Sequence, residues 1–339
     1  MSEKQKKVRE GGNAIFSYSR FGTMNQCPKQ YKYQYIDKVR GKQNIYSLIG
    51  GVIHDALEDI HENDKDKVEL KNAITQGMIE AEVNGYKFPS EKIENSYMAN
   101  MKHYINNFER KYDKIINEME ILYNFKDVLG LDEDFWIIGY IDVIVPAKDG
   151  KIAIVDWKTS SMFAGKKLKE AGRQLLLYAY VVEQLSDRKV DYVAWELLKY
   201  IQVCFKQKNG KVKKMTRERR SWVSEIKDRL ESELSNLGKS DLEIEMLIDE
   251  AIENNNIDNI PEEIKNQYWT EDCVLEYDYN EKNVNEMLAW LKSSREKIMN
   301  EREFKAVKID SGNSFFCQHL CGFSDICEEF KEYKRNRKE

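Results

Sequence analysis

The sequence has no apolar run approaching the roughly 20 residues needed to cross a bilayer. Its start, Met1-Ser2-Glu3-Lys4-Gln5-Lys6-Lys7, has no signal-peptide core. A cytoplasmic protein with no membrane partner is therefore expected. No fixed-period repeat is present, which excludes solenoids and propellers. No Gly-x4-Gly-Lys-Ser/Thr phosphate loop occurs, so no ATP-driven motor is encoded. The chain is not a polycation either. Its net charge is −5, so any nucleic-acid surface must be a local patch. What remains is a 339-residue chain, 41% hydrophobic and 33% charged. That describes a globular protein with a highly charged surface, long enough for one large domain or two ordinary ones.

Cysteine is scarce but clustered. The six are Cys27, Cys204, Cys273, Cys317, Cys321 and Cys327. Disulfides are not expected in a reducing compartment. The last three form C-x3-C-x5-C, a local group of soft ligands.

Along the chain, residues 1–12 are charged and end in Gly11-Gly12, which reads as a lead-in. Ser17 or Ser19 is placed to cap a short helix before Cys27-Pro28 and Tyr31, Tyr33 and Tyr35. Gly50-Gly51-Val52-Ile53-His54 opens a helical stretch running to about 118, broken at Gly85 and Pro89. Strands are expected at 118–128, 135–145, 151–158 and 190–205, and helices at 168–186, 216–253 and 282–304.

Two of those strands carry the chemistry. Trp136–Val145 and Ile152–Thr159 are β-branched runs with Pro146 and Gly150 between them, so they read as one hairpin. Each holds an acid in an apolar run: Asp142 in the first, Asp156 in the second. Two carboxylates on adjacent strands can share a divalent cation. Lys158 lies two residues past Asp156, hence on the same strand face. Mg2+ and Mn2+ prefer oxygen ligands, and the Trp157 carbonyl adds a third oxygen. Carboxylate, carboxylate and amine around a hard metal suggest phosphodiester hydrolysis. Taken singly, an aspartate on a half-solvated hairpin is an ordinary surface residue.

Asp142 followed by Asp156-Trp157-Lys158 resembles the core signature of the PD-(D/E)XK nuclease superfamily. The similarity is greatest to its RecB-like branch, which includes AddB-type and CRISPR-adaptation exonucleases. Gly50-Gly51-Val52-Ile53-His54 resembles that branch's upstream glycine-and-histidine helix, which implies His54 as a metal ligand. Gln174-Leu175-Leu176-Leu177-Tyr178 resembles its Gln-x3-Tyr helix. The i, i+4 spacing puts Gln174 and Tyr178 on one helix face. The resemblance implies that this face approaches the active site and the substrate strand. Glu58, one turn after His54, is a weaker candidate for the same site.

Cys27 with Cys317, Cys321 and Cys327 resembles the iron-staple arrangement of some RecB-like nucleases, which implies a 4Fe–4S cluster. The usual spacing there is C-x2-C-x5-C, and this chain has one residue more in the first gap. His319 lies within the cluster and keeps zinc open as the alternative. Tying residue 27 to residues 317–327 closes a loop over nearly the whole chain. That constraint is worth on the order of 4–5 kcal/mol in the simple crosslink picture. Cys204 and Cys273 read as buried free thiols.

Three basic groups are candidate phosphate contacts. They are Lys166, Lys167, Lys169 and Arg173; Lys211, Lys213, Lys214, Arg217, Arg219 and Arg220; and Lys331, Lys334, Arg335, Arg337 and Lys338. Each reads equally as a solvated face. Tyr31, Tyr33 and Tyr35 either stack on bases or pack beside the cysteines.

The expected fold is α/β: a restriction-endonuclease-like mixed central sheet flanked by helices, with a helical insertion and a cysteine-bound C-terminal cap. A single domain over 1–339 is expected. It divides into an N-terminal segment at 13–50, a helical insertion at 51–118 and a sheet core at 119–206. A helical region at 207–310, a cap at 311–330 and a basic tail at 331–339 follow. The resemblance implies an Mg2+- or Mn2+-dependent deoxyribonuclease acting on DNA ends or single strands. Recombination, repair or phage DNA processing in a bacterial or phage-infected cell is the expected setting, with a helicase or recombination protein as the candidate partner. The alternative is a catalytically silent DNA-binding or assembly subunit.

Overall fold

The computed structural model describes residues 1–110, 116–207 and 209–337, the side chains of 117 and 118 excepted. Part of the helical stretch expected to 118, at 111–115, and Lys338 of the basic tail lie outside the described residues.

Seven strands form one mixed sheet: β1 (Ile15–Ser17), β2 (Ile116–Asn124), β3 (Trp136–Pro146), β4 (Ile152–Lys158), β5 (Val190–Lys206), β6 (Val212–Glu218) and β7 (Tyr268–Tyr277). Thirteen α-helices are described. The N-terminal ones are α1 (Glu3–Glu10), α2 (Tyr18–Gln26) and α3 (Pro28–Tyr31). Then come α4 (Ile45–Asn63), α5 (Val68–Asn84), α6 (Glu91–Asn106), α7 (Lys126–Leu129) and α8 (Lys166–Leu185). The rest are α9 (Lys227–Asn236), α10 (Asp241–Asn254), α11 (Glu262–Lys265), α12 (Glu281–Asn300) and α13 (Glu328–Arg335).

The sheet is organised around two long strands. β2 runs antiparallel along one edge of β3 from Ile116↔Ile144 to Asn124↔Trp136. The other edge of β3 is shared. β1 pairs parallel at Trp136–Ile138, and β4 pairs antiparallel at Val143–Pro146. Residues 139–142 fall between these two ladders, so the sheet opens there. β4 then runs parallel to β5 through the α8 crossover, and β5 receives β6 and β7 antiparallel. The β3–β4 turn is closed by left-handed backbone at Asp149 (φ 55°) and Gly150 (φ 73°).

Both sheet faces are buried. On one, Ile144 and Ile154 pack against Leu175, Leu176 and Tyr178 of α8 and Met287 and Leu291 of α12. On the other, Val143, Val145, Val155 and Trp157 pack against Ile49, Ile53 and Leu57 of α4, with Leu70 of α5 and Met101 of α6. A parallel strand covered on both faces should read as a continuous apolar run, and Ile152–Val155 does. A third cluster joins Ile201, Val203 and Phe205 of β5 to Leu230, Leu234 and Ile248 of α9 and α10.

Two features depart from the sequence reading. The region 207–310 is not helical throughout, because β6 and β7 lie in it. β6 reads Val-Lys-Lys-Met-Thr-Arg-Glu, a charged edge strand whose exposed face mimics a solvated helix. The helix expected to open at Gly50 starts instead at Ile45. Asn44 and Ser47 form a capping box there. Gly50 and Gly51 are therefore interior to α4. A Cβ on Gly50 would stand 3.4 Å from Thr159 Oγ1, so the glycine lets α4 pass close to the end of β4.

Candidate active site

The opening in the sheet between β1 and β4 is where the acidic residues gather. The β3–β4 register pairs Val143 with Val155, so the next positions outward are Asp142 and Asp156. They stand opposite one another at the mouth of the hairpin. Asp156 shares strand parity with Ile152 and Ile154, on the α8 side of the sheet. Trp157 points the other way, toward α4.

The Asp156 carboxylate is buried, with 7% of its side chain exposed, and Lys158 Nζ lies 2.6 Å from its Oδ2. Burial, and then the charge of Asp142, push its pKa up to about 6 against the pull of Lys158. Asp142 Oδ2 takes two partners: His54 Nδ1 at 3.2 Å and the Trp157 backbone N–H at 3.3 Å. Burial works to raise Asp142, but the His54 hydrogen bond and charge outweigh it, and the carboxyl ends below its ordinary range. For His54, burial pulls down and Asp142 pulls up more strongly, so the imidazole ends above its usual value. Burial also opposes the charge on Lys158, yet Asp156 holds its pKa above the normal lysine value.

The α8 face closes the other side. Gln174 Nε2 donates to Tyr178 Oη at 2.9 Å. Burial raises the Tyr178 phenol, and the charges of Asp156, Asp142 and Lys158 reach it. The structure therefore brings His54, Asp142, Asp156, Lys158, Gln174 and Tyr178 together around one opening. Glu58 sits half-buried one turn along α4 from His54.

Sequence reasoning missed three supporting residues. The Tyr178 ring lies on Gly139, where a Cβ would overlap Cε1. A glycine inside a β-branched strand was the signal. His61 stacks on Trp157, with ring centroids 5.5 Å apart and planes at 26°. It lies seven residues after His54, on the same helix face. Its Nδ1 lies 2.7 Å from the Leu57 carbonyl oxygen. Thr159 meets α4 at Gly50, as described above.

The four cysteines also converge. Cys27, Cys317, Cys321 and Cys327 line one cavity of ≈ 30 Å³. All four are free thiols. Burial and the neighbouring sulfurs raise Cys317 to about 11 and also raise Cys321 and Cys327. His319 does not line this cavity; it packs on Phe315. The cap carrying three of these thiols is tied to the N-terminal segment. Lys29 pairs with Glu329 at 2.9 Å, and Lys42 N donates to Gly322 O at 2.8 Å. Asn44, which caps α4, also donates to Leu320 O at 3.2 Å. The cap thus holds the start of the helix that carries His54. Cys204 and Cys273 are buried and separate.

Among the described residues, no three His, Cys, Asp or Glu side chains stand close enough to form a ready-made metal site. At the sheet opening, His54 and Lys158 occupy the acidic oxygens. At the cap, burial raises Cys317, Cys321 and Cys327 above the ordinary thiol value.

The basic groups are largely paired within the protein. Arg173 grips Glu286 through Nε at 3.2 Å and Nη2 at 2.7 Å, and Lys169 joins the same carboxylate at 3.2 Å. Arg219 is buried against Asp272. Lys214, Arg217 and Arg220 pair with Glu271, Glu225 and Glu218. In the tail, Lys331 pairs with Glu328, and Lys334 and Arg337 lie over Phe330 and Tyr333. Tyr31 is buried against Tyr35 and Phe304, and Tyr33 lies by Phe323 beside the cysteine cavity.

A sequence profile of the PD-(D/E)XK nuclease superfamily matches residues 15–328. The chain belongs to that superfamily. No curated protein is similar enough in sequence to match it. Among solved structures, the crystal structure of SSO0001 is similar at 13% identity and a TM-score of 0.35, covering 95% of this chain and 92% of that one. No helix among the described residues is long and apolar enough to cross a membrane.

Proposed function

We propose that this protein is a metal-dependent deoxyribonuclease that degrades DNA from ends or along single strands. One observation carries the reading: Asp142, Asp156 and Lys158 meet His54 on one side and the Gln174–Tyr178 pair on the other.

The donor set fits a hard divalent cation. Two carboxylates face each other across the hairpin, and burial together with the charge of Asp142 leaves Asp156 with a raised pKa that Lys158 offsets only in part. A pair of acids in that state gains from added positive charge. Asp142, Asp156, the Trp157 carbonyl and His54 would hold Mg2+ or Mn2+. When bound, such an ion polarises the scissile phosphate and lowers the pKa of an attacking water. Holding it requires His54 to turn from Asp142 and Lys158 to loosen from Asp156. The freed Lys158 ammonium is then available to the charge that develops on the phosphate. Tyr178 accepts from Gln174, so its own O–H stays free to donate to a substrate oxygen.

The four thiols are proposed to hold a 4Fe–4S cluster, with zinc as the alternative. Four cysteines lining one cavity, in the reducing compartment expected, support a soft-metal role. With no phosphate loop in the chain, unwound DNA would come from a helicase or recombination partner. Recombination, repair or phage DNA processing suits such an activity.

The test uses end-labelled linear and covalently circular single-stranded DNA with Mn2+. The exonuclease reading predicts loss of the linear substrate and survival of the circle. Equal cleavage of both contradicts it.

A further inference from the structure

A cleft of ≈ 1220 Å³ opens beside the end of β4. It is larger than the roughly 300–1,000 Å³ of small-molecule pockets. Its walls come from five separate parts of the fold. Tyr46 belongs to the first turn of α4, Ser96 to α6, Thr159 to the end of β4, and Phe315 to the cap. The fifth wall is β5 with the turn that follows β6, which bring Lys199 and Arg220. Thr159 is the residue after Lys158, so the cleft begins where the active site ends.

Lys199 is placed unusually. The β4–β5 ladder ends at Lys158↔Leu197, and the β5–β6 ladder starts at Tyr200. The β5–β7 register shifts between Glu196 and Ile201. Lys199 thus falls in a break in the strand pairing, the kind of irregularity that re-aims a side chain. Its ammonium makes no ion pair among the described residues and lies 5.4 Å from the Tyr97 ring centroid. The nearby carboxylate of Glu218 is already occupied, taking Arg220 Nε at 2.7 Å and Asn100 Nδ2 at 3.4 Å. A half-buried cation that Glu218 reaches only from beyond ion-pair distance is open to an anion from outside. Phe315, 47% exposed on the cap, and Tyr46 at the base of α4 add aromatic faces.

We propose that this cleft is a binding path for single-stranded DNA next to the scissile bond, with Lys199 on a backbone phosphate and Phe315 stacked on a base. Cation and aromatic face together are the chemistry that holds a single strand without reading its sequence. Paired bases present no free faces to stack, so duplex gains little here. This rests on the hydrolytic reading above for its placement, but its test does not need cleavage.

Binding of fluorescein-labelled oligothymidylate to the full chain is followed by anisotropy, without added divalent metal. Lys199→Gln is expected to weaken binding about fivefold or more. It should also flatten the log–log salt dependence by about 0.7, the share of one single-strand phosphate. Phe315→Ala should weaken binding at least as much and leave the salt slope unchanged. Lys282→Gln, exposed on α12 and away from the cleft lining, is the control and should bind as wild type. An oligonucleotide carrying 5-iodouridine should crosslink to the peptide holding Tyr46 or Phe315, a readout that needs no variant. Wild-type affinity and salt slope in both Lys199→Gln and Phe315→Ala overturn the proposal, as do crosslinks confined to other surfaces. If wild type binds as expected yet cleaves nothing with Mn2+, the hydrolytic reading fails and the strand path stands.

Discussion

Tyr178 rests on Gly139: the phenol ring covers the strand at the point where any side chain would intrude. Its hydroxyl is fixed by Gln174. A methyl group on Gly139 must displace the ring. Gly139→Ala should destabilise the protein by about 1–3 kcal/mol, the usual range for overpacking. In a Tyr178→Ala background the same change should be nearly neutral, because the obstacle is gone. Thermal melts of the four proteins in this cycle measure the coupling. Additive losses would show that the ring does not depend on the glycine.

Lys158 supplies the positive charge next to a buried carboxylate. Lys158→Met leaves Asp156 without it, and stability at pH 8 should fall by about 3 kcal/mol, the lower end for a broken buried pair. The pH dependence has a definite sign. Asp156 has a folded pKa of about 6, above its unfolded value. Its burial penalty is therefore full above pH 6 and is relieved as the pH falls toward 4. The stability gap between wild type and Lys158→Met should narrow from pH 8 to pH 5. A gap that stays constant across that range would mean that Asp156 is not the group responsible.

Mn2+ binding should release protons. Asp156 and His54 both have folded pKa values above their ordinary ones, and both must be unprotonated to serve as ligands. Affinity should rise with pH through about 6. In the one-proton limit it weakens about tenfold per pH unit below that point. Calorimetry at pH 6.5 in two buffers of different ionisation enthalpy should give heats that differ in the direction of proton release. Identical heats would argue against these ligands.

Much of this site could be read from the sequence. Asp142, Asp156 and Lys158 were visible because each interrupts an apolar strand. Gln174 and Tyr178 followed from helical spacing. What escaped was set by tertiary contact. Lys199 is one lysine among many until the pairing break beside it is seen. Arg219 reads as a phosphate ligand among basic neighbours, yet it is buried against Asp272, fifty-three residues away in sequence. β6 was hidden because an exposed edge strand carries charges in no helix-excluding pattern. His61 carried only its distance from His54, and its partner Trp157 lies on another element.

The cysteine cap should be coloured. A 4Fe–4S cluster predicts a brown protein absorbing near roughly 400 nm. Cys321→Ala should bleach it and lower the melting temperature, because the cap also holds Asn44 and hence the start of α4. A colourless protein purified without air and carrying stoichiometric zinc would overturn the iron assignment.

The central claim is that Asp142, Asp156 and Lys158 are the hydrolytic centre. The direct test is cleavage of labelled single-stranded DNA with Mn2+ by wild type, Asp156→Ala and Lys158→Ala, each shown to be folded. The account predicts cleavage by wild type and a loss of at least a hundredfold in each variant, the scale of removing one electrostatic contributor. Equal cleavage by all three proteins would contradict it.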